Sequence, residues 1–288
     1  MKHTQDAEPA RCVADESARQ EPRLEQPEDR PEQPSPDSID SAPRPEASEP
    51  DPSPTLIRES LSPNLNPEYR GETPPAAPAG AALVTARELS LATRRGVVFG
   101  PLDFTVDHQT LALASGPAGS GRSSLLLAVA GRMRGVRGTL SVAGLDAIGR
   151  ARLVRREVAV ARIADIVVLD ERMRVEEAIV ERCLTEAIKT AEGSRNFAGT
   201  ANLIGLRVPQ RALIAELDSL DAALLTLALA TVRPARLIVY DDLDEHLTRA
   251  EEEVLLDAFQ LTTRTGPAIL AATTDVDLAP NGATLIHL

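Results

Sequence analysis

An apolar strand that runs into a glycine-rich turn and then into an apolar helix limits the folds open to a chain more than any other pattern. Thr110 to Gly131, TLALASGPAGSGRSSLLLAVAG, has that form. Within it, Gly116-Pro-Ala-Gly119-Ser120-Gly121-Arg122-Ser123-Ser124 meets the phosphate-loop pattern G-x-x-x-x-G-K-[ST] at each fixed position except the lysine, which is Arg122. Glycines let the backbone curl around an anion, so that the N–H groups of the loop and of the helix start point at phosphate oxygens. In this reading Gly116, Gly119, Ser120, Gly121, Arg122, Ser123 and Ser124 bind the phosphates, and Ser123 offers its hydroxyl to a magnesium ion. Arg122 stays cationic and forks onto oxygens, but its planar guanidinium is longer and bulkier than an ammonium.

A second element is Arg236-Leu-Ile-Val-Tyr240, an apolar strand that ends in Asp241, 119 residues beyond Arg122, and Asp242. A buried strand that delivers a carboxylate to its C-terminal edge is a means of holding magnesium beside a phosphate loop. Asp241 is therefore the expected metal-side residue, and Asp242 the residue placed to orient an attacking water.

Proline and charge divide the chain. Of 22 prolines, 16 fall within residues 1–80, and those 80 residues carry 17 acidic against 8 basic side chains. A segment so rich in Pro, Glu, Ser and Asp has too little apolar surface to offset its conformational entropy, so residues 1–80 read as a disordered acidic tail. From residue 81 onward, short β-branched and Leu-rich runs alternate with helical stretches, which gives an α/β domain over 81–288. Strands are expected at 83–91, 96–106, 110–114, 139–142, 158–161, 166–169, 237–240, 268–272 and 284–288. Helices are expected at 123–131, 175–190, 196–206, 221–232 and 249–263. The stretch from about 170 to 232 is almost wholly helical and reads as an insert in a nucleotide-binding core.

The net charge of −12 and the 2% aromatic content argue against a nucleic-acid partner, which needs a clustered basic surface or stacking platforms. Cys12 and Cys183 have no metal-ligand spacing. The longest uncharged apolar run, Ala222 to Val232, is too short to cross a bilayer, and the N-terminus lacks a secretory core. A cytoplasmic location follows as the expectation, with any place at the inner face of the plasma membrane supplied by a partner.

The order of motifs resembles the ATP-binding cassette family over about residues 83–288. Gly138-Thr-Leu-Ser-Val-Ala-Gly144 is similar to the strand after that family's phosphate loop, and Glu216 to Ala230 with Arg233-Pro234 looks like its signature helix leading into the second acidic strand. Met173 to Ile179 and Ala201 to Leu206 resemble helices of its helical subdomain. The resemblance implies a P-loop NTPase core of this cassette type with an antiparallel β-subdomain and a helical subdomain insert. It also implies ATP and Mg²⁺ as ligands, a membrane-spanning transporter-type subunit as partner, and a homo- or heterodimer.

The departures point to lost turnover. Where the family reads LSGGQ, this chain has Leu217-Asp218-Ser219-Leu220-Asp221. A carboxylate brought within about 4 Å of a γ-phosphate charge is repelled by about 4 kcal/mol at an effective dielectric near 20. Asp242 replaces a glutamate, and Thr274 replaces the switch histidine. No glutamine lies between Gly131 and Val175, with Asp165 as a weak stand-in, and Phe99 is the aromatic nearest to the place of an adenine platform. His246 reads as a solvated turn residue, with a catalytic role as the sharper alternative. Arg150, Arg152, Arg155, Arg156 and Arg162 read either as a solvated helix face or as a docking surface for a membrane partner or anionic headgroups. The implied function is an ATP-binding subunit that couples ATP·Mg²⁺ to a membrane partner with weak or absent hydrolysis. The alternatives are a pseudo-ATPase regulatory or scaffolding module, and a P-loop NTPase unconnected with transport.

Overall fold

The computed structural model describes residues 82–163, 166–280 and 282–288. The tail expected over 1–80 and the stand-in Asp165 lie outside the described residues. Two sheets organise the chain. Strands β1 (Val84–Thr93), β2 (Gly96–Val106), β4 (Val136–Val142) and β5 (Leu145–Asp146) form an antiparallel sheet in the order β2-β1-β4-β5. Strands β3 (Leu111–Ser115), β6 (Val158–Arg162), β7 (Leu237–Tyr240), β8 (Ala268–Thr273) and β9 (Thr284–His287) form a parallel sheet in the order β6-β7-β8-β3-β9. This is the α/β P-loop arrangement with an antiparallel subdomain that the motifs imply.

A parallel sheet with helices on both faces needs strands that are apolar on both sides, and these are. Side chains alternate across a strand, so Leu111 and Leu113 join one core while Ala112 and Ala114 join the other. The first core gathers Ile238, Tyr240, Ile269 and Ala271 against α5 (Ser219–Ala230) and α6 (Arg249–Thr263). The second gathers Val239, Leu270 and Ala272 against Leu125, Leu126 and Val129 of α1 (Arg122–Val129), and is closed by Val84 and Leu89 of the antiparallel sheet and by Leu83 just before it. The phosphate-loop helix is thus clamped between the two sheets.

The helical insert is present as α3 (Val175–Thr185), α4 (Thr190–Leu203), a 3-10 turn at Ile214–Glu216, and α5. The single helix expected over 175–190 divides, because the chain turns through Ala187 at φ 54° before α4 begins. Gly193 lets α3 and α4 approach closely, since a β-carbon there would lie 2.3 Å from Cys183 Sγ. The expected helix at 196–206 is the second half of α4. The expected strand at 166–169 is absent: Ile166 and Val167 donate their amides to Ile163 in a turn, and only an isolated bridge joins Ile163 to Val167. Ile166 and Val168 are 60% and 64% exposed, so the β-branched run has no sheet to enter. Helix α2 (Ala151–Glu157) escapes the sequence reading because only Val154 of its residues is buried, which leaves no apolar stripe.

Candidate functional site

Strand β3 ends at Ser115, which is held from the β9 side: its hydroxyl lies 3.0 Å from His287 Nδ1, and its carbonyl accepts the Leu288 amide at 2.9 Å. The loop then turns within a confined space. A β-carbon on Gly116 would lie 2.7 Å from Ser120 Oγ and 2.9 Å from the Leu288 carbonyl oxygen, so no other residue fits there without displacement. Gly121 caps α1 at φ 96° with its Cα facing the Val98 carbonyl, where a β-carbon would come within 2.4 Å. Gly119 also takes a positive φ, 82°. The helix then opens at Arg122, Ser123 and Ser124, whose amides have no carbonyls of their own helix to donate to.

Strands β7, β8 and β3 are neighbours in the sheet, so the end of β7 with Asp241 and Asp242 and the end of β8 with Thr273 flank the loop. Asp241 is fully buried. Its Oδ1 accepts the Asp242 amide at 3.1 Å, and Ser123 at the start of α1 lies near enough to act on its carboxyl. Burial pushes its carboxyl above the ordinary range; Ser123 opposes this, and the neighbouring Asp242 charge adds to it. Arg122, only 8% exposed, forms an ion pair with Asp242, Nη2 to Oδ1 3.4 Å. Three buried atoms in this small space have no hydrogen-bond partner among the described residues: Ser120 Oγ, Arg122 Nη1 and Asp241 Oδ2. An unpaired buried polar atom carries a desolvation cost, so their coincidence at one loop marks a place built for polar ligands.

Thr274 follows β8, and its hydroxyl and its amide both donate to Asp244 Oδ2, the amide at 2.8 Å. Burial raises the Asp244 carboxyl, but the hydroxyl and amide of Thr274, its own backbone and the Arg122 charge outweigh that and hold it below the ordinary value. Sequence reasoning singled out Thr274 and passed over Asp244. The signal available was the third carboxylate in Asp241-Asp242-Leu243-Asp244, together with the threonine pair Thr273-Thr274 at and just after the end of the next strand.

Other expected positions lie elsewhere or have different work. Asp218 caps α5 by accepting the Asp221 amide at 2.7 Å, so one of the two acidic residues in the signature register serves the helix itself. Burial and the Asp218 charge raise the Asp221 carboxyl. Phe99 is 3% exposed and packed in the core behind Gly121, so it offers no stacking face. His246 stands at φ 63° and is 75% exposed. Arg150, Arg152, Arg155 and Arg156 are exposed on α2 and its N-cap, Arg155 also donating to the Gly131 carbonyl, whereas Arg162 ends β6 and pairs with Glu245. Tyr240, buried beneath Arg162, has its hydroxyl pushed up to about 12, chiefly by desolvation.

No family model and no curated protein matches this sequence. Solved structures match its fold. An ATP-binding subunit of an ABC transporter aligns with a TM-score of 0.57 at 20% identity, over 71% of this chain and 86% of the other. A nucleotide-free ATP-binding cassette from an ABC transporter gives 0.60 at 14% identity, over 72% and 88%. CbiO1 from Clostridium perfringens, part of the ABC transporter complex CbiONQ, gives 0.59 at 12% identity, over 71% and 84%. The fold is that of ATP-binding cassette domains, with the glycine-rich loop at the C-terminal end of β3.

Proposed function

We propose that the chain is a transporter-type ATP-binding subunit that binds ATP·Mg²⁺ at the Gly116–Ser124 loop and turns it over slowly or not at all. The observation that carries this reading is the meeting of Ser120 Oγ, Arg122 Nη1 and Asp241 Oδ2, buried and without partners, at the mouth of a glycine loop. The donor set fits a hard divalent cation: the Ser123 hydroxyl lowers the Asp241 carboxyl pKa and so is near it, Asp241 Oδ2 has no partner, and both groups offer oxygen. A bound magnesium ion would neutralise phosphate charge there. The loop amides and the start of α1 would hold the phosphates, and Arg122 would add a cation to them.

Slow turnover follows from how the remaining polar groups are committed. Asp242, the residue in the water-orienting position, is engaged by Arg122 and is one bond shorter than a glutamate, about 1.5 Å of lost reach. Thr274 is committed to Asp244. The Leu217–Asp221 segment has Asp218 folded onto its own helix start, and its acidic residues would meet a γ-phosphate from a second subunit with repulsion. A membrane-spanning partner fits the described chain, in which no helix is long and apolar enough to cross a bilayer while Val180 and Leu184, one turn apart on α3, expose apolar side chains. Dimerisation, with itself or with a second cassette, belongs to the same reading, as does a cytoplasmic location reached at the membrane through that partner.

Melting and turnover of the purified full chain test this. ATP with Mg²⁺ should raise Tm in a concentration-dependent way, while steady-state hydrolysis stays near background and Asp242→Glu alone does not restore it. A turnover near 1 per second or faster, the ordinary enzyme range, would contradict the slow-turnover reading. No nucleotide-dependent change in Tm would leave the fold as a scaffolding or regulatory module.

A further inference from the structure

We infer that this site selects a nucleoside diphosphate over the corresponding triphosphate; the inference rests on the nucleotide-binding reading above. A phosphate loop cradles the inner phosphates with backbone amides, and the basic residue at its end reaches toward the outer ones. The first half of that device is intact here. Gly116 and Gly121 hold the loop in a shape that only glycine allows, and α1 opens with Arg122, Ser123 and Ser124. The second half is occupied. Arg122, the basic residue in question, has Nη2 against Asp242 at 3.4 Å, so part of its charge is already neutralised by a protein carboxylate that a terminal phosphate would have to displace.

The surroundings of Arg122 add further negative charge. Asp242 is its ion-pair partner, and the Arg122 charge also acts weakly on Asp241 and Asp244, the next carboxylates along the loop after β7. Asp244 is fixed in place by the Thr274 hydroxyl and amide. Glu252, whose carboxyl is raised chiefly by burial, also feels the charges of Asp244 and Asp275. Arg249, the cation on that side, is itself shared among Glu252, Glu253 and Asp275 at 3.9, 3.6 and 2.5 Å. A diphosphate seated in the amide cradle stops short of this acidic wall, whereas a third phosphate brings additional negative charge toward it. Arg122 Nη1, buried and unpartnered, is left as the one arm free for the diphosphate end.

Calorimetric titration of the full chain with ADP·Mg²⁺, ATP·Mg²⁺ and the non-hydrolysable β,γ-imido triphosphate tests the inference. ADP should bind at least about tenfold more tightly than either triphosphate. Asp244→Asn keeps the side-chain size and should narrow that ratio by about threefold or more, mainly through tighter triphosphate binding. Asp242→Asn, which frees Arg122, should narrow it as well and serves if the first variant does not fold. Equal affinities in the native chain, or tighter triphosphate binding, overturn the inference and leave nucleotide binding standing. A ratio that neither variant changes removes the acidic wall as its cause and overturns it too. Binding of none of the three ligands refutes the nucleotide reading itself, and the inference falls with it.

Discussion

Asp244 Oδ2 accepts from both the hydroxyl and the amide of Thr274, the amide at 2.8 Å, and so ties the loop after β7 to the end of β8. The bond places a carboxylate beside the end of β8, the strand next to β3, and its donor Thr274 stands where the family resemblance implies a histidine. Its energetic signature is a dependence on pH. Because the folded-state pKa of Asp244 lies below the ordinary value near 3.9, the stability it contributes is fully present above that value and is lost as pH falls through the folded pKa.

Thr274→Val removes the hydroxyl donor and keeps the shape. At pH 7 the variant should melt about 2–4 °C below the native chain, the shift that ~1 kcal/mol produces in a domain of this size. The gap should narrow as pH falls below the ordinary carboxylate value near 3.9 and Asp244 takes up its proton. Melting curves from pH 7 to pH 2.5 check this, and a gap of constant size across that range would assign the loss to packing instead of to the carboxylate.

Asp218 has taken over the N-cap of α5, with its Oδ1 2.7 Å from the Asp221 amide. Asp218→Ala should therefore cost about 1 kcal/mol, while Asp218→Ser, which can cap in the same way, should cost a few tenths at most. Urea unfolding of the two variants separates them. Equal losses would show that the cap carries no share of the stability.

Asp241 is the opposite case to Asp244. Its folded pKa is raised, chiefly by burial, so the stability linked to its proton is fully present below the ordinary value near 3.9 and is lost as pH rises through the folded pKa. At neutral pH the buried carboxylate is a net cost to the nucleotide-free protein. Asp241→Asn should raise Tm by about 2–4 °C while removing the Mg²⁺ dependence of nucleotide affinity. A variant that melts lower and still binds with Mg²⁺ would contradict the metal-side role.

The fold was largely legible in the sequence because its strands are buried on both faces and announce themselves as unbroken apolar runs: Leu237–Tyr240 and Ala268–Ala272 appear as expected, and β8 continues only to Thr273. The tight turn after β3 was legible because Gly116 and Gly121 sit where a β-carbon would collide with its neighbours, a demand that fixes residue type at fixed spacing. What stayed hidden depends on tertiary partners. The run Ile166–Leu169 has strand composition but no neighbouring strand, and α2 has helical geometry but one buried side chain. The pairing of Arg122 with Asp242 and that of Thr274 with Asp244 join residues 120 and 30 positions apart. Spacing along the chain specifies neither contact; only the order β7-β8-β3 brings them together.

The central claim is that Ser123 and Asp241 hold a divalent cation beside phosphates seated on the Gly116–Ser124 loop. Crystals of the full chain grown with ADP and Mn²⁺, with diffraction recorded at the manganese absorption edge, test it directly. The account predicts a single strong anomalous peak between the Ser123 hydroxyl and the Asp241 carboxylate, with phosphate density along the amides of residues 119–124. Nucleotide density elsewhere on the chain, or manganese bound away from Ser123 and Asp241, would contradict it.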